Sequence, residues 1–138
     1  MPPTVAVVAD DLIWASRLAE AVRRAGATPV RLGSDADLAL ALAAAGLKDP
    51  VSVPGGHAPS RLVGIIVDLF GHRYDGVEAV RRTAAARLPV IAVAQHDDPD
   101  TRKRALGAGA SRVFSYAKFF TDGPRLVGGW LDASRVAR

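Results

Sequence analysis

The sequence predicts an α/β fold in which five parallel strands alternate with five helices and form one doubly wound sheet of strand order 2-1-3-4-5. Short apolar runs rich in Val and Ile alternate along the chain with segments of helical periodicity, a pattern typical of such sheets. The apolar runs show no polar alternation, as expected for strands that are buried on both faces. With 138 residues, 49% of them hydrophobic, the chain suits a single domain over residues 1–138 with one compact core.

Local signals in the sequence mark where the helices begin and end. Gly26 gives the first helix its C-terminal stop. Ser34 and Asp37 have a spacing like that of a capping box, which predicts the start of the second helix. Asp98 and Pro99 provide the N-cap and first-turn residues of the fourth helix. The predicted strands cover residues 4–9, 28–32, 62–67, 89–94 and 112–116; the third helix covers 77–86, the fourth 99–107, and the fifth begins at Pro124.

Residues 47–60 form the one segment without a periodic pattern. The segment contains three prolines and the pair Gly55-Gly56, which favour turns and irregular backbone. Because it leads into the third strand, we expect an elaborated surface loop at the amino edge of the sheet rather than a boundary between two domains.

The third predicted strand stops abruptly at Asp68. A carboxylate at the end of a buried strand is unfavourable unless a partner uses or neutralises it, and capping of the next turn is the structural alternative. The first strand also ends in acid, at Asp10 and Asp11. In the order 2-1-3-4-5 these two strands are neighbours at the switch point, where such sheets bind ligands. Crowded carboxylates favour a hard cation, and Mg²⁺ with several waters suits them.

The segments VVADD, VDLFGHRYDG, LPVIAVAQH and RALGAGA resemble, in this order, the receiver domains of two-component response regulators, over roughly residues 4–138. The resemblance implies a CheY-like, flavodoxin-like fold in which Asp68 accepts phosphate from a histidine kinase. It also implies that Asp10, Asp11 and Asp68 bind Mg²⁺ together with the backbone carbonyl of Phe70. A second register, counted back from the end of the first helix, places Ala9 and Asp10 at the acidic pair instead.

The chain departs from the receiver pattern at the positions that read out phosphorylation. The family's switch hydroxyl falls on Ala94, and its lysine falls on Tyr116, with Lys118 as the replacement if the strand end bulges by two residues. In the family the lysine bond is worth roughly 1.5–3 kcal/mol and the hydroxyl bond about 0.5–1.5 kcal/mol. Without these contacts, a phosphate on Asp68 would shift the conformational equilibrium little. The resemblance therefore implies an atypical receiver or pseudo-receiver.

The last third of the chain is rich in arginine and also holds aromatic residues. By resemblance, its fourth helix, fifth strand and fifth helix form the face through which receivers meet partners or dimerise. Arginine and aromatic side chains together are typical of interface hot spots. We therefore expect a protein partner at this face: a histidine kinase upstream, an effector downstream, or a second copy of the chain. The arginines that define this predicted partner face are Arg102, Arg104, Arg112 and Arg125.

Composition excludes several other classes of protein. The chain has no cysteine, so it has no disulfide framework and no thiolate metal site. Its apolar runs are too short to span a bilayer, and no basic segment precedes the first of them as in a signal peptide. We therefore expect a cytoplasmic protein with no membrane partner.

Two classes of function follow from the sequence. No P-loop, dinucleotide fingerprint or nucleophile–base pair indicates an enzyme. We expect no output domain, so the first interpretation is a stand-alone signalling receiver. The alternative is a phosphorylation-independent binding module of flavodoxin-like fold, for a small molecule or nucleic acid. The net charge of +4 permits a nucleic-acid partner but is better explained by an Ala- and Arg-rich composition.

Overall fold

The computed structural model describes residues 2–46, 51–53 and 57–136, and its architecture confirms the predicted fold class. Five parallel strands form one sheet in the order β2-β1-β5-β6-β7, which is 2-1-3-4-5 when only these strands are counted. The elements are β1 (Thr4–Val8), α1 (Leu12–Arg24), β2 (Thr28–Leu32), α2 (Asp35–Gly46), β3 (Val51–Val53), β4 (His57–Ser60), β5 (Leu62–Asp68), α3 (Gly76–Ala85), β6 (Val90–Ala94), α4 (Pro99–Ala108), β7 (Arg112–Ser115) and α5 (Tyr116–Val136).

The central strands of the sheet are buried on both faces, which explains why they lack polar alternation. Successive residues of β1 point to opposite sides, so Val7 packs in the core under α1 and α5 while Val8 packs under α2, α3 and α4. All five residues of β1 and of β6 are buried. The helix faces that cover them supply Leu18 and Val22 on one side and Leu38 on the other.

The central strand β5 approaches α5 closely at Gly64. A Cβ atom at this position would lie 2.7 Å from the Trp130 ring and 3.3 Å from the carbonyl oxygen of Pro89. Glycine at this position therefore leaves room for the indole of Trp130, which packs against the sheet near the amino ends of β5 and β6 and is 7% exposed. The α5 helix covers the sheet through Trp130 and Leu131.

The fifth helix begins earlier than the sequence predicts. We expected it to start at Pro124, but α5 begins at Tyr116 and Pro124 lies inside it. The hydroxyl of Ser115 accepts a hydrogen bond from the backbone N–H of Lys118 (3.1 Å), so Ser115 caps the first turn. A proline inside a helix forgoes one backbone hydrogen bond, a loss that the packing of α5 on the sheet outweighs.

The segment predicted as an irregular loop contains regular structure. Strands β3 and β4 pair antiparallel, with Val51 opposite Ser60 and Val53 opposite His57. Alternating valines favour extended backbone, a signal that the surrounding prolines and glycines obscured. Residues 47–50 and 54–56 of this segment lie outside the described residues. Within the part of the chain that the structure describes, no helix is long and apolar enough to cross a membrane.

Candidate functional site

The carboxyl ends of β1, β5 and β6 open into one cleft of about 840 Å³. The crossovers leave β1 and β5 in opposite directions at this edge of the sheet, which is the topological switch point of such folds. The cleft therefore brings together the acidic residues that the sequence singles out, and adds basic and aromatic side chains to them. Its lining residues are Asp10, Asp11, Leu12, Trp14, Arg31, Asp68, Phe70, His72, Arg73, Gln95 and Tyr116.

Asp68 is the most buried of the three carboxylates, with 3% of its surface exposed. One oxygen, Oδ1, accepts a hydrogen bond from the backbone N–H of Phe70 (3.1 Å). The same oxygen accepts a short hydrogen bond from the hydroxyl of Tyr116. Among the described residues, none donates to the other oxygen, Oδ2. One oxygen of the buried carboxylate is thus hydrogen-bonded within the protein, and the other has no described donor at the edge of the cleft.

The surroundings of Asp68 disfavour its negative charge. Burial raises the pKa of Asp68 above its usual value, and the nearby charges of Asp10 and Asp11 raise it further, against the lowering effect of the Tyr116 hydrogen bond. Burial and the bond to Asp68 also raise the pKa of Tyr116. The tyrosine therefore keeps its proton and remains a donor. A neutral hydroxyl stabilises the carboxylate less than a cation would.

Tyr116 reaches Asp68 because α5 begins directly at the end of β7. Its ring packs on Trp14, with ring centroids 4.4 Å apart, and on Phe70, with centroids 6.4 Å apart. Arg17 lies over the outer face of the Trp14 ring at 5.8 Å. These contacts fix the ring, so the hydroxyl is held on Asp68 by packing as well as by its hydrogen bond.

Asp10 holds the loop that follows β5. Its Oδ2 accepts hydrogen bonds from the backbone N–H groups of His72 (2.5 Å) and Arg73 (2.7 Å). Partial burial works against ionisation, but these two donors outweigh it and lower the pKa of Asp10. Asp11, by contrast, is exposed and caps α1 by accepting from the backbone N–H of Trp14 (3.0 Å). Ala9 is fully buried and does not line the cleft.

A buried tyrosine joins the two strands that carry the acids. The hydroxyl of Tyr74 lies 2.7 Å from the carbonyl oxygen of Asp68 and 3.0 Å from that of Val8. Its ring lies directly against Gly71, where any Cβ atom would overlap it. In the sequence, only its position in the loop after β5 distinguishes Tyr74, so this link between the strands is not predicted from residue pattern.

The predicted switch positions give three different outcomes. Ala94 ends β6, is 2% exposed and offers no hydroxyl to the cleft. Tyr116, the position predicted for the lysine, binds Asp68 directly. Lys118 does not replace the missing lysine: its Nζ lies 3.0 Å from Asp122 Oδ2, one turn along α5, and it does not line the cleft. The helix starts at Tyr116 without the bulge that would bring Lys118 inward.

The predicted partner face is not one continuous patch of arginines. Arg102 and Arg104 are exposed in the middle of α4. Arg112 lies at the amino end of β7, with its guanidinium 5.5 Å from the Phe114 ring. Arg125 on α5 pairs with Asp122 at 3.0 Å.

The donor set of the cleft suits a magnesium ion that keeps most of its water. Among the described residues, no three Asp, Glu, His or Cys side chains gather closely enough to hold one ion. Each cleft carboxylate nevertheless has one oxygen to which no described residue donates: Asp10 Oδ1, Asp11 Oδ2 and Asp68 Oδ2. Mg²⁺ commonly takes one or two carboxylates with waters completing its shell, so these residues fit it.

No protein-family model and no curated protein matches the sequence. Solved structures do match, and they define the class: the chain has the fold of response regulator receiver domains, which confirms the resemblance. A CheY-like receiver domain protein from Methanospirillum hungatei is 14% identical, with a TM-score of 0.74 over 100% of both chains. A response regulator receiver protein from Burkholderia phymatum is 27% identical, with a TM-score of 0.69 over 94% of this chain and 95% of its own.

One similar structure contains a metal. The receiver domain of a sensor histidine kinase from Pseudomonas aeruginosa is 18% identical, with a TM-score of 0.69 over 96% of this chain and 99% of its own. That domain has a magnesium ion coordinated in its active site cleft.

Proposed function

We propose that the chain is an atypical receiver, a signalling module that acts through protein contacts and whose output does not depend on phosphorylation of Asp68. The observation that carries this proposal is the hydrogen bond from the Tyr116 hydroxyl to Asp68 Oδ1. Tyr116 stands where the family resemblance places a lysine, and Ala94 stands where it places a hydroxyl. The module therefore has a phosphoacceptor position but lacks the two groups that would recognise the phosphate.

The difference between tyrosine and lysine is one of charge. A phosphoryl group brings close to two negative charges, and an ammonium neutralises one of them in a strong, charge-assisted bond. A phenol that keeps its proton can donate one hydrogen bond to the phosphoryl group but neutralises none of its negative charge. Since a ligand shifts a conformational equilibrium only by its differential contacts, a phosphate on Asp68 would change the structure little. Tyr116 also holds Asp68 Oδ1 before any phosphate arrives.

In this proposal a weakly bound Mg²⁺ would take Asp68 and one of its neighbours Asp10 and Asp11, together with the carbonyl of Phe70 and several waters. Among the described residues the three carboxylates do not gather closely enough to share one ion, so the full ligand set that the resemblance implies is not met. The ion would supply positive charge beside the carboxylate during phosphoryl transfer. Asp10 would then keep its second oxygen on the backbone N–H groups of His72 and Arg73, so that the loop after β5 stays in place. The cleft is open enough for the remaining ligands to be water.

Incubation with acetyl phosphate and Mg²⁺, followed by intact-mass measurement, tests the proposal. We expect the wild type to gain phosphate slowly and Tyr116→Phe to gain it several-fold faster, because the substitution frees Oδ1. Lys118→Gln is the matched control on α5 and should behave as wild type, and Asp68→Asn should gain nothing. Amide chemical shifts of α4 and β7 should stay unchanged on modification. Fast labelling of the wild type with shifts across α4 would show that the protein is an ordinary switch.

The partner face is tested by charge reversal on α4. We expect the double substitution Arg102→Glu and Arg104→Glu to abolish cross-linking of the protein to its partner in a lysate, because the partner is expected to present an acidic patch. The matched control reverses Arg23 and Arg81, which are exposed and lie on other helices. Asp68→Ala should retain most of the cross-linking. Loss of the cross-link in Asp68→Ala alone would contradict an output that is independent of phosphorylation.

A further inference from the structure

The two ends of the sheet carry opposite charge. The connections that leave the strands at the carboxyl end contain Asp10, Asp11, Asp75, Asp97 and Asp98. The described residues that lead into the five strands, namely 2–3, 25–27, 61, 86–89 and 109–111, contain no Asp or Glu. The helices add Asp132 of α5 toward this amino edge. Apart from Asp132, the described residues named here give the edge opposite the acidic cleft no acidic side chain.

A row of four arginines lies along this amino edge, and we call them the edge arginines: Arg24, Arg61, Arg87 and Arg112. Arg61 immediately precedes β5, Arg87 lies three residues before β6, and Arg112 is the first residue of β7. These three strands are consecutive in the sheet, about 4.8 Å apart from one to the next. Arg24 ends α1, four residues before β2, on the other side of β1.

The edge arginines are exposed, and within the described part of the chain none of them forms an ion pair. Arg23, Arg81 and Arg125, by contrast, each pair with a carboxylate on their own helix. Arg102 and Arg104 of α4 are also exposed and outside the ion pairs of the described residues, so the edge arginines differ from them in position and not in pairing. Where the structure describes side-chain exposure, the exposed large apolar residues lie on helices or after β5, and none is among residues 2–3, 25–27, 61, 86–89 and 109–111. The row therefore offers charge without the apolar anchors typical of a protein interface.

Arg87, one of the edge arginines, has a backbone conformation that is unfavourable for a residue with a Cβ atom. Among the described residues, three helix ends carry a residue with positive φ: Gly26 after α1 (92°), Gly109 after α4 (120°) and Arg87 after α3 (63°). Glycine adopts this left-handed backbone without penalty, whereas a residue with a Cβ does not. Two of the three positions thus use the expected glycine, and the third holds an exposed guanidinium at the amino edge.

We propose that the edge arginines bind the phosphate backbone of nucleic acid without reading its bases. The planar guanidinium matches phosphate oxygens with two parallel N–H donors, and a row of unpaired charges can follow a chain of phosphates. Affinity of this kind comes from counterion release and needs no apolar contact. Composition alone did not favour nucleic acid, but the placement of these four residues on one edge does. The surface is separate from the Asp68 cleft and does not depend on the function proposed for it.

Fluorescence anisotropy with a short, labelled DNA duplex of mixed sequence tests this inference at low salt and across a salt titration. We expect the double substitution Arg61→Gln and Arg112→Gln to weaken binding and to reduce the slope of log K against log salt by about two, because each arginine neutralises one phosphate. The matched control removes the same charge from α4 with Arg102→Gln and Arg104→Gln, and should change the slope less.

Arg87→Gly separates binding from folding. Because glycine accepts the left-handed backbone, the melting temperature of this variant should not fall, yet its affinity for the duplex should drop. Equal losses in the α4 control would show attraction by net charge alone and would overturn the inference. Competition by poly-glutamate as effective as that by unlabelled DNA, at equal charge, would overturn it in favour of an acidic protein. Absence of duplex binding at low salt would overturn it outright.

Discussion

Gly71→Ala should lower the free energy of unfolding by about 2–4 kcal/mol, which would make Gly71 one of the most sensitive surface-loop positions in the chain. The new Cβ atom would overlap the Tyr74 ring, including its hydroxyl. The ring cannot move aside cheaply, because its hydroxyl lies within hydrogen-bond distance of the carbonyl oxygens of Val8 and Asp68. The substitution therefore disrupts the link between β1 and β5 at the mouth of the cleft.

Urea denaturation of a small set of variants measures this effect. Tyr74→Phe removes only the hydroxyl and should cost about 1–3 kcal/mol, the range for leaving buried carbonyl groups without a donor. The double variant should be less destabilised than the sum of the two, since both changes break the same link. Gly107→Ala is the matched control, because no atom lies within 4 Å of a Cβ at that helical position. A Gly71→Ala variant as stable as this control would contradict the account.

Asp68→Asn should raise the stability of the metal-free protein at neutral pH by about 0.5–2 kcal/mol. The pKa of Asp68 is raised in the folded state, first by burial and then by the neighbouring carboxylates, so folding disfavours its charged form. Asparagine keeps an oxygen that accepts from Tyr116 and Phe70. Its amide replaces a repelling oxygen with a donor near Asp10 and Asp11.

The pH dependence gives this prediction its sign. A carboxyl group whose folded pKa is raised stabilises the protein below its unfolded pKa, near 3.8, and loses that contribution as pH rises through the folded value. The two proteins should thus melt alike in acid, and the Asn variant should gain an advantage as pH increases. Thermal melts across this range are the measurement. Asp97→Asn provides the control, because it removes one carboxylate from an exposed position outside the lining of the cleft. An Asp68→Asn variant that is less stable at pH 7 would indicate that the carboxylate serves as a structural cap.

The parts of the fold that depend on local pattern could be predicted from the sequence. Val/Ile runs located the strands of the sheet, and the acids at the ends of two of them indicated one shared edge. Bonds across long sequence separations could not be predicted in the same way. The pair of Tyr116 with Asp68 spans 48 residues and depends on the residue at which α5 begins. Pro124 suggested a helix start because proline is common in first turns, yet the cap came from Ser115.

The carboxylates show a further limit of sequence reasoning. Asp10 and Asp11 are adjacent and look equivalent as metal ligands. In the folded chain one of them holds two backbone N–H groups of the loop after β5, and the other caps α1. Lys118 has the positive charge that the family's lysine would supply, but its ammonium pairs with Asp122 one turn along the same helix and not with Asp68. Which of two similar side chains makes a given contact depends on its position in the folded chain, and residue types alone do not determine that position.

The contact between Trp14 and Tyr116 gives the protein an optical reporter of its own. The chain has two tryptophans, and Trp130 is buried in the core and does not line the cleft. Trp14 is only half-buried, and its ring centroid is 4.4 Å from the phenol that binds Asp68. A Trp130→Phe background would leave one indole, whose emission follows whether the phenol is in place. Metal binding or phosphorylation at Asp68 would then change the wavelength or intensity of tryptophan emission, without an added label.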